Sequence, residues 1–350
     1  MSGPATIRIG RREIGPGRPA FLIAEVAQNH DGSLGLAHAF VEEAANAGAD
    51  AVKFQTHIAA AESTLDEQFR VKFSQQDDTR YAYWRRMEFT ADQWAGLAKH
   101  AHDKGIVFLS SAFSVAAVEM LRQVGMAAWK VGSGEVGSHD LIRAMAATGG
   151  PVLLSTGMSS YADIGKTVAF VRDTGAPLAL FQCTSKYPTG LEHVGLNVIG
   201  ELRYRFGCPV GLSDHSGSLY PALASIARGV DLVEVHFALD RRMFGPDVAV
   251  SLTPSQFRLL REAIDAFALL DANPVDKDAA AKELAPMRAL FNKSVALVRA
   301  QPKGTTLTAD MLTTKKPGTG IAAAELPRLI GRRLACDVAS DRLLWPEDLE

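Results

Sequence analysis

The sequence lacks the features that mark secreted and membrane-spanning proteins. It contains three cysteines, Cys183, Cys208 and Cys336, and so few, in odd number, do not build a disulfide framework. The N-terminus has no apolar segment of the kind found in secretory signals, and no stretch approaches the ~20 apolar residues of a membrane span. We therefore expect a protein of the reduced cytoplasm with no membrane partner.

A dominant charge of one sign is also missing. The 350 residues include 37 Lys and Arg and 39 Asp and Glu, which gives a net charge of −2. No long run of either sign occurs, whereas proteins that bind nucleic acids usually carry a basic patch or stripe. These observations argue against a nucleic-acid partner and favour small-molecule substrates.

The sequence does contain a regular alternation of short apolar runs and amphipathic segments. Eight apolar runs predict strands and eight intervening segments predict helices, which is the count of a (β/α)8 TIM barrel, an α/β fold. The predicted strands are Phe21–Ala27, Ala51–Thr56, Ile106–Ala112, Ala128–Gly132, Pro151–Thr156, Pro177–Cys183, Pro209–Ser213 and Leu232–Phe237. We predict that residues 1–272 form this catalytic barrel.

Two segments depart from the repeat. The connection Ile58–Glu88 is long, charged and aromatic, and a loop of that length over a barrel mouth often covers an active site. Residues 273–290 are rich in Ala, Asp and Lys and predict a linker. Beyond them, the strand-like runs Ser294–Val298 and Leu334–Cys336 are separated by glycine turns, so we expect a small β-rich domain at residues 291–350.

Two histidines follow neighbouring predicted strands. One helix separates His215 from His236, and a βαβ crossover brings both to the same edge of the sheet. Imidazole suits Mn, Fe, Co or Zn, and Asp214 and Glu234 stand beside the histidines as outer carboxylates. The alternative is that these histidines cap backbone groups at two ordinary strand ends.

Polar side chains follow the other strands as well. Hydroxyl and ammonium groups that converge on one point form a cradle for phosphate or carboxylate, although a single serine is more often a turn former. The residues are Glu25, Asn29, His30, Lys53, Gln55, His57, Ser110, Ser111, Lys130, Ser133, Glu135, Ser155, Thr156, Thr184, Ser185, Lys186, Tyr187 and Ser213. An alternative role for Lys53 or Lys130 is that of the Schiff-base lysine of a barrel aldolase.

These motifs, in order along the chain, resemble those of the sialic acid synthase family, which includes the N-acetylneuraminate synthases and the spore coat polysaccharide biosynthesis protein E group. The C-terminal segment around Lys315-Lys316-Pro317-Gly318 resembles the family's antifreeze-like (SAF) domain. The barrel motifs that carry the resemblance are Ile23-Ala24-Glu25, Asn29-His30-Asp31-Gly32, Val52-Lys53-Phe54-Gln55, Lys130 to Glu135, Ser155-Thr156-Gly157-Met158, Cys183-Thr184-Ser185 with Tyr187-Pro188, Gly211 to His215, Glu234 with His236-Phe237, and Gly245-Pro246-Asp247.

The resemblance implies a metal-dependent transferase for surface polysaccharide biosynthesis. Such an enzyme condenses phosphoenolpyruvate with the open-chain aldehyde of an N-acylated hexosamine, similar to N-acetylmannosamine, to give a nine-carbon 3-deoxy-2-ulosonic acid and phosphate. His215 and His236 are implied to bind a divalent metal, with Mn²⁺ the first choice. The implied substrate-binding residues are Lys53, Gln55, Ser111, Lys130, Ser133, Ser155, Ser185, Tyr187, Ser213 and Lys316.

The implied catalytic residues are carboxylates, namely Glu25, Glu135, Glu234 and Asp247. The resemblance also implies a domain-swapped homodimer in which each SAF domain closes the barrel of its partner. Val235 and Lys316 stand where neuraminate synthases often carry arginine, so a modified or dideoxy acceptor sugar is as much expected as N-acetylmannosamine. A third class of function, a non-enzymatic polysaccharide- or ice-binding module, is suggested by the SAF-like segment alone.

Overall fold

The chain folds into two compact units, Met1–Ala272 and Asn273–Glu350. The computed structural model describes residues 5–69 and 71–350. The first unit is an α/β barrel and the second is a small domain with a two-stranded antiparallel sheet.

The first unit begins with a hairpin, β1 (Ile7–Ile9) and β2 (Arg12–Ile14), and continues with eight parallel strands that close into a barrel. Each barrel strand pairs with its neighbours in chain order, and the last pairs with the first. These strands are β3 (Phe21–Ala27), β4 (Ala51–Thr56), β5 (Val107–Ala112), β6 (Trp129–Val131), β7 (Val152–Ser155), β8 (Leu178–Cys183), β9 (Val210–Asp214) and β10 (Leu232–His236). The predicted TIM barrel is confirmed, with every predicted strand end within one residue of the observed one.

Helices cover the outside of the barrel, and hydroxyl groups cap several of their N-termini. The side chains of Ser33, Ser114 and Ser160, for example, accept hydrogen bonds from backbone N–H groups that lack a partner within the helix. The helices of this unit are α1 (Leu34–Asn46), α2 (Ala59–Glu62), α3 (Arg80–Met87), α4 (Ala91–Asp103), α5 (Val115–Val124), α6 (His139–Ala146), α7 (Tyr161–Asp173), α8 (Asn197–Phe206), α9 (Leu219–Ile226) and α10 (Pro254–Ala272). No helix in the described parts of the chain is both long and apolar enough to cross a membrane.

The barrel interior is apolar at one end and polar at the other. Successive side chains of a strand point to opposite faces, so Phe21, Ile23 and Glu25 of β3 share the inward face. The apolar inward layers form one buried cluster with the N-terminal hairpin: Ile7, Ile9, Ile14, Phe21, Ile23, Ala51, Leu109, Ala128, Leu153, Ala179, Phe181 and Leu232. This apolar cluster fills the barrel below the polar residues that end the strands.

The second unit contains two strands, β11 (Ser294–Leu297) and β12 (Leu312–Lys315), which pair antiparallel. Its buried core is formed by apolar side chains from the two strands, one short helix and the irregular segments, namely Val295, Leu297, Leu307, Leu312, Leu329, Leu334, Val338 and Leu344. Its helices are α11 (Lys277–Glu283), α12 (Ala285–Phe291) and α13 (Leu326–Leu329). The segment predicted as a linker, residues 273–290, thus includes α11 and most of α12.

One strand prediction in this unit is wrong. The run Leu334–Cys336 was expected to be strand-like, but it forms only an isolated bridge between Leu334 and Leu349. The partner of β11 is β12, whose Leu-Thr-Thr-Lys sequence contains a single apolar residue. Long-range pairing with β11, rather than a local apolar pattern, therefore decides that β12 is a strand.

A buried carboxylate is expected to stabilise the second unit. Asp348 accepts two hydrogen bonds from the guanidinium of Arg342, both 2.7 Å long, and one from the backbone of Trp345 at 2.8 Å. Removing them in Asp348→Ala leaves Arg342 without its partner. We expect the free energy of unfolding to fall by roughly 2 kcal/mol, as is typical of hydrogen bonds to charged groups.

The stability that Asp348 contributes to the second unit depends on pH. Hydrogen bonding to Arg342 lowers the pKa of Asp348 from 3.8 to about 2. The pair therefore stabilises the fold fully above the ordinary carboxyl pKa, and the contribution disappears as pH falls toward 2. Urea unfolding of the wild type and of Asp348→Ala, measured near neutral pH and at about pH 2, checks this difference in unfolding free energy. The exposed Asp341→Ala is the control, and equal losses in both variants would contradict the prediction.

Candidate active site

A cavity of about 600 Å³ opens at the C-terminal ends of the barrel strands. This is the end at which TIM barrels carry their active sites. The predicted site residues that line it are Glu25, Lys53, Gln55, Ser111, Lys130, Ser133, Ser155, Ser185, Tyr187, Ser213, His215, Glu234, His236 and Asp247. The structure thus brings together residues from all eight strands or the loops that follow them.

Two lysines share the carboxylate of Glu234. Lys130 of β6 donates to Glu234 Oε1 at 3.0 Å, and Ser213 of β9 donates to the same oxygen at 3.1 Å. Lys53 Nζ of β4 lies 3.7 Å from Glu234 Oε1 and 2.8 Å from Glu25 Oε2. All of these side chains are buried. Glu234, which was expected to stand beside the histidines as an outer carboxylate, therefore holds the two lysines in position.

The charges of this cluster leave a positive surplus. Burial by itself raises the pKa of Glu234, but Lys130 and Lys53 outweigh it and lower the pKa to about 2. Burial likewise lowers the pKa of Lys53, but Glu234 and Glu25 outweigh it and the net shift is upward. Below about pH 7, where Glu25 is protonated, two ammonium groups therefore surround one ionised carboxylate, that of Glu234. An anionic ligand such as a phosphate is the group that would balance this charge.

Side chains with hydroxyl and thiol groups pack closely against Gly157, in the same cavity as the lysines. A Cβ added at Gly157 would lie 2.5 Å from Cys183 Sγ, 2.6 Å from Ser185 Oγ and 3.0 Å from Ser133 Oγ. Ser133 also hydrogen-bonds to Cys183 at 3.0 Å and accepts from the Gly157 N–H at 3.1 Å. The other serine hydroxyls of the lining belong to Ser111, Ser155 and Ser213. Lysines and hydroxyls together make the predicted anion cradle.

Two buried histidines lie in the same cavity, with ring centroids 5.3 Å apart. Burial lowers the pKa of His215 to about 4 and the pKa of His236 well below its usual range. Both rings are therefore neutral near neutral pH, which is the form that binds metals. His215 Nδ1 lies 2.9 Å from the Thr184 carbonyl oxygen, so Nε2 is left to accept from the Tyr187 hydroxyl at 3.1 Å or to bind a ligand.

The histidine pair fits a divalent transition metal. His236 Nδ1 is buried and has no hydrogen-bond partner in the described part of the chain, and a buried polar atom is costly unless it finds one. Neutral imidazoles suit Mn²⁺, Fe²⁺ or Zn²⁺. Within residues 5–69 and 71–350, no cluster of three His, Cys, Asp or Glu side chains could hold a metal. The two histidines would therefore bind it together with oxygen atoms of water or substrate.

Two carboxyl groups with raised pKa values also line the cavity. Burial raises the pKa of Glu25 to about 7 and that of Asp247 to about 6. Glu25 is held at both oxygens, since Gln55 Nε2 donates to Oε1 at 3.0 Å and Lys53 lies 2.8 Å from Oε2. Gln28 Nε2 donates in turn to Gln55 Oε1 at 3.4 Å. Carboxyl groups with such pKa values can hold or release a proton near neutral pH.

The long connection between β4 and α4 covers the cavity, as its length and aromatic content predict. Arg86 of α3 holds it to the barrel, because it contacts Asp77 at 2.8 Å within the segment and Asp31 at 2.8 Å in the loop after β3. Gly32 permits this approach, since a Cβ there would lie 2.4 Å from the Arg86 carbonyl oxygen. The residues of this segment that line the cavity are Phe69, Val71, Phe73, Arg80, Tyr83 and Trp84.

Some residues singled out in the sequence lie elsewhere. Glu135, predicted to be catalytic, is not part of the cavity lining; it is the last residue of a 3-10 turn and accepts a hydrogen bond from Ser138 at 2.6 Å. Ser110 faces outward from β5 and bonds to Thr56 at 2.8 Å. Lys316 lies in the second unit, where its ammonium group sits 5.1 Å from the centroid of the Phe291 ring.

Four lining residues were not singled out from the sequence, namely Gln28, Val71, Arg80 and Phe113. The strand period cannot place Gln28, because Ala27 has a φ of +49° and the register of β3 against β4 shifts at that point. Arg80 belongs to the covering segment, whose own fold decides which of its side chains reach the cavity. An apolar residue such as Val71 or Phe113 carries no local signal that separates a cavity wall from a core.

The chain resembles known proteins over almost its whole length. The model of the NeuB family matches residues 40–274, and the model of the SAF domain matches residues 292–350. The N,N'-diacetyllegionaminic acid synthase of Legionella pneumophila is 32% identical over 96% of both chains. The human N-acetylneuraminate-9-phosphate synthase is 31% identical over 96% of this chain and 94% of that protein. The crystal structure of the N-acetylneuraminic acid synthetase from Leptospira borgpetersenii has a TM-score of 0.71 at 27% identity, over 81% of this chain and 96% of that one.

Proposed function

Since this chain belongs to the NeuB family and carries a SAF domain after its barrel, we propose that it condenses phosphoenolpyruvate with an N-acylated hexosamine. The products are a nine-carbon 3-deoxy-2-ulosonic acid and phosphate. The observation that carries the proposal is the anion cradle, which lies in one cavity with a pair of neutral imidazoles and two carboxyl groups of raised pKa. The chemistry needs an anion site, an aldehyde site and a proton carrier, and the cavity offers all three.

The lysines and serines hold phosphoenolpyruvate. Lys53 and Lys130 supply the positive charge for its phosphate and carboxylate, and the hydroxyls of Ser133 and Ser185, which pack against Gly157, line the same cavity. The remaining serine ligands we assign are Ser111, Ser155 and Ser213. Fixed ammonium groups and hydroxyl dipoles also favour the negative charge that grows on the departing phosphate.

The carboxyl groups donate and accept the protons of the reaction. Carbon 3 of the enol attacks the aldehyde carbon, whose oxygen takes up a proton, and positive charge develops at carbon 2. A water molecule then adds to carbon 2, loses a proton, and the phosphate leaves with its bridging oxygen. Glu25, with a pKa raised to about 7 by burial, and Asp247, with one raised to about 6, are placed to exchange these protons. Ionised Glu234 stabilises the cationic carbon 2.

His215 and His236 would hold the divalent metal that the family resemblance implies, with Mn²⁺ our first choice. Such an ion, when bound, polarises a carbonyl oxygen as a Lewis acid. The histidines themselves need only present unprotonated nitrogens, which their burial secures by lowering the pKa of each ring. The hydroxyl of Tyr187 lies 3.1 Å from His215 Nε2. We therefore propose that Tyr187 also contacts the aldehyde group of the acceptor sugar.

A Schiff-base aldolase remains the enzymatic alternative, and the lysine environment argues against it. An imine-forming lysine must be neutral to attack a carbonyl, but the net pKa shift of Lys53 is upward. Lys130 is paired with Glu234 at 3.0 Å. Borohydride reduction in the presence of pyruvate separates the two classes, because only an imine yields a covalent lysine adduct.

The cavity wall supports an acceptor with apolar substituents. Phe69, Val71, Phe73 and Trp84 line the covering side of the cavity and offer apolar surface rather than hydrogen bonds. We therefore propose a 6-deoxy hexose with two acylamino groups as the acceptor, ahead of N-acetylmannosamine, since methyl groups bury well against such rings.

A phosphate-release assay tests the function directly. The purified chain is supplied with Mn²⁺, phosphoenolpyruvate and, in separate reactions, N-acetylmannosamine, its 6-phosphate and a 2,4-diacetamido-2,4,6-trideoxyhexose. We expect phosphate release that depends on the acceptor and is fastest with the diacetamido sugar. Phosphate release at the same rate without any acceptor would overturn the proposal.

A Gly157→Ala variant is expected to lose affinity for phosphoenolpyruvate. The added methyl group would sit 2.5 to 3.0 Å from the sulfur and hydroxyl atoms of Cys183, Ser185 and Ser133, so it displaces the two serine hydroxyls that we assign to the ligand. We expect the KM for phosphoenolpyruvate to rise by about a hundredfold, which equals roughly 3 kcal/mol of lost binding. Gly134→Ala is the matched control, because its Cβ would meet only Met158 Cε at 3.7 Å. Equal KM values in the two variants would refute the placement.

We also propose, from the family resemblance, a homodimer in which Lys316 contacts the sugar bound in the other subunit. The Lys316 side chain is exposed on the second unit, which leaves it available for such a contact. Sedimentation equilibrium tests the dimer, and the KM for the acceptor sugar in Lys316→Ala tests the contact.

A further inference from the structure

His57, at the end of β4, has no assigned role but is tightly held. Its ring lies between those of Trp84 and Phe113, with centroid distances of 3.8 and 4.4 Å and interplanar angles of 14° and 5°. Only 4% of its side chain is exposed. Trp84 belongs to α3 of the covering segment and Phe113 follows β5, so the histidine joins the cover to the barrel.

Both ring nitrogens of His57 face oxygen atoms. Nδ1 lies 2.5 Å from Glu62 Oε1, and Nε2 lies 3.5 Å from Gln55 Oε1. The ring is therefore held at both nitrogens, by the Glu62 carboxyl group on one side and by the Gln55 amide on the other.

Gln55 connects His57 to Glu25. Gln55 Oε1 accepts from His57 and from Gln28, which turns its NH₂ group toward Glu25 Oε1 at 3.0 Å. The 3.5 Å contact is long for a hydrogen bond, as is common in active sites before substrate tightens them. The chain of contacts therefore runs from Glu62 through His57 and Gln55 to Glu25.

We propose that His57 is a positioning residue, which acts through Gln55 to fix Glu25 and so links the covering segment to the proton-handling carboxyl group. This inference rests on the proposed function, because Glu25 acts in that reaction. Without the His57 ring nitrogen, only the 3.4 Å bond from Gln28 fixes the orientation of the Gln55 amide, and one of the two supports of Glu25 weakens. The anion cradle contains none of these residues, so phosphoenolpyruvate binding stays intact.

The test uses His57→Phe in the whole chain, which keeps a ring between Trp84 and Phe113 but removes both ring nitrogens. We expect kcat to fall by about tenfold to a hundredfold, the usual cost of a misplaced catalytic group, while the KM for phosphoenolpyruvate changes by less than about threefold. Glu62→Ala should shift kcat in the same direction, and Glu62→Gln, which keeps an acceptor oxygen, should restore most of it.

A double-mutant cycle separates positioning from local damage. If His57 acts through Gln55, His57→Phe causes no further loss of kcat in a Gln55→Ala background. The matched control is His139→Phe, because His139 also stacks on an aromatic ring, Phe170, at 4.5 Å and 6°, but lies outside the cavity lining. Additive losses, or a kcat within about twofold of wild type in His57→Phe, would overturn the inference.

An NMR measurement tests the positioning role of His57 independently of whether the proposed reaction takes place. In ¹⁵N-labelled protein, the side-chain amide signal of Gln55, identified by its absence in Gln55→Ala, should shift in His57→Phe and not in His139→Phe. An unchanged signal would overturn the positioning role even if the wild type turned over no sugar. Absence of acceptor-dependent phosphate release with the signal shifted would instead count against the function alone.

Discussion

Replacing either His215 or His236 by alanine should reduce acceptor-dependent phosphate release by about a thousandfold, because a Lewis acid is worth several kcal/mol of transition-state stabilisation and each ~1.4 kcal/mol is tenfold in rate. The two imidazoles are neutral and buried, and their ring centroids are 5.3 Å apart. A single imidazole holds a divalent ion far less tightly than a pair does. Chelation of the wild-type protein should have the same effect, and Mn²⁺ should reverse it.

Metal binding itself must be measured beside activity. Titration calorimetry with Mn²⁺, without substrate, should show one site in the wild type and none in either variant. The control is His193→Ala, since His193 is half exposed and lies outside the cavity lining. Both variants should unfold at the wild-type temperature, because residues at a barrel mouth contribute little to core packing. Full turnover by a protein whose metal content is nil would disprove the metal assignment.

A Lys130→Met variant should lose two to three orders of magnitude in kcat/KM for phosphoenolpyruvate, since truncating one partner of a buried charge pair costs about 2–5 kcal/mol. Lys130 donates to Glu234 Oε1 at 3.0 Å, and its ammonium group lies 4.9 Å from the centroid of the Phe181 ring. Methionine keeps the apolar stem over that ring, so the change removes charge with little loss of packing. The anion then meets one ammonium group instead of two.

A direct binding measurement shows whether the lower kcat/KM of Lys130→Met comes from weaker binding of phosphoenolpyruvate. Calorimetric titration with phosphoenolpyruvate should show weakened binding in Lys130→Met and unchanged binding in Lys166→Met, whose lysine is 74% exposed on α7. A lower salt dependence of binding should accompany the loss of one charge. Unaltered phosphoenolpyruvate affinity in Lys130→Met would show that this lysine does not belong to the anion site.

The barrel strands were predictable because each is a short apolar run between polar segments, and that pattern is local. The same period of two placed Lys53 with Gln55, and Glu234 with His236, on one face of their strands. It could not place Gln28, because the left-handed Ala27 and the register shift after Glu25 end the alternation. Nor could it show β12, which is a strand only because β11 lies beside it.

The sequence by itself determined which chemical groups stand at the ends of the strands, because alternation along a strand and the parallel order of the barrel follow from short-range patterns. Only the tertiary structure decided which of those groups are partners. Lys130 and Glu234 are 104 positions apart in the chain, and their contact depends on the distance between strands across the barrel. That contact turned a carboxylate expected beside the histidines into the counterion of two lysines, and so set the charge of the whole site.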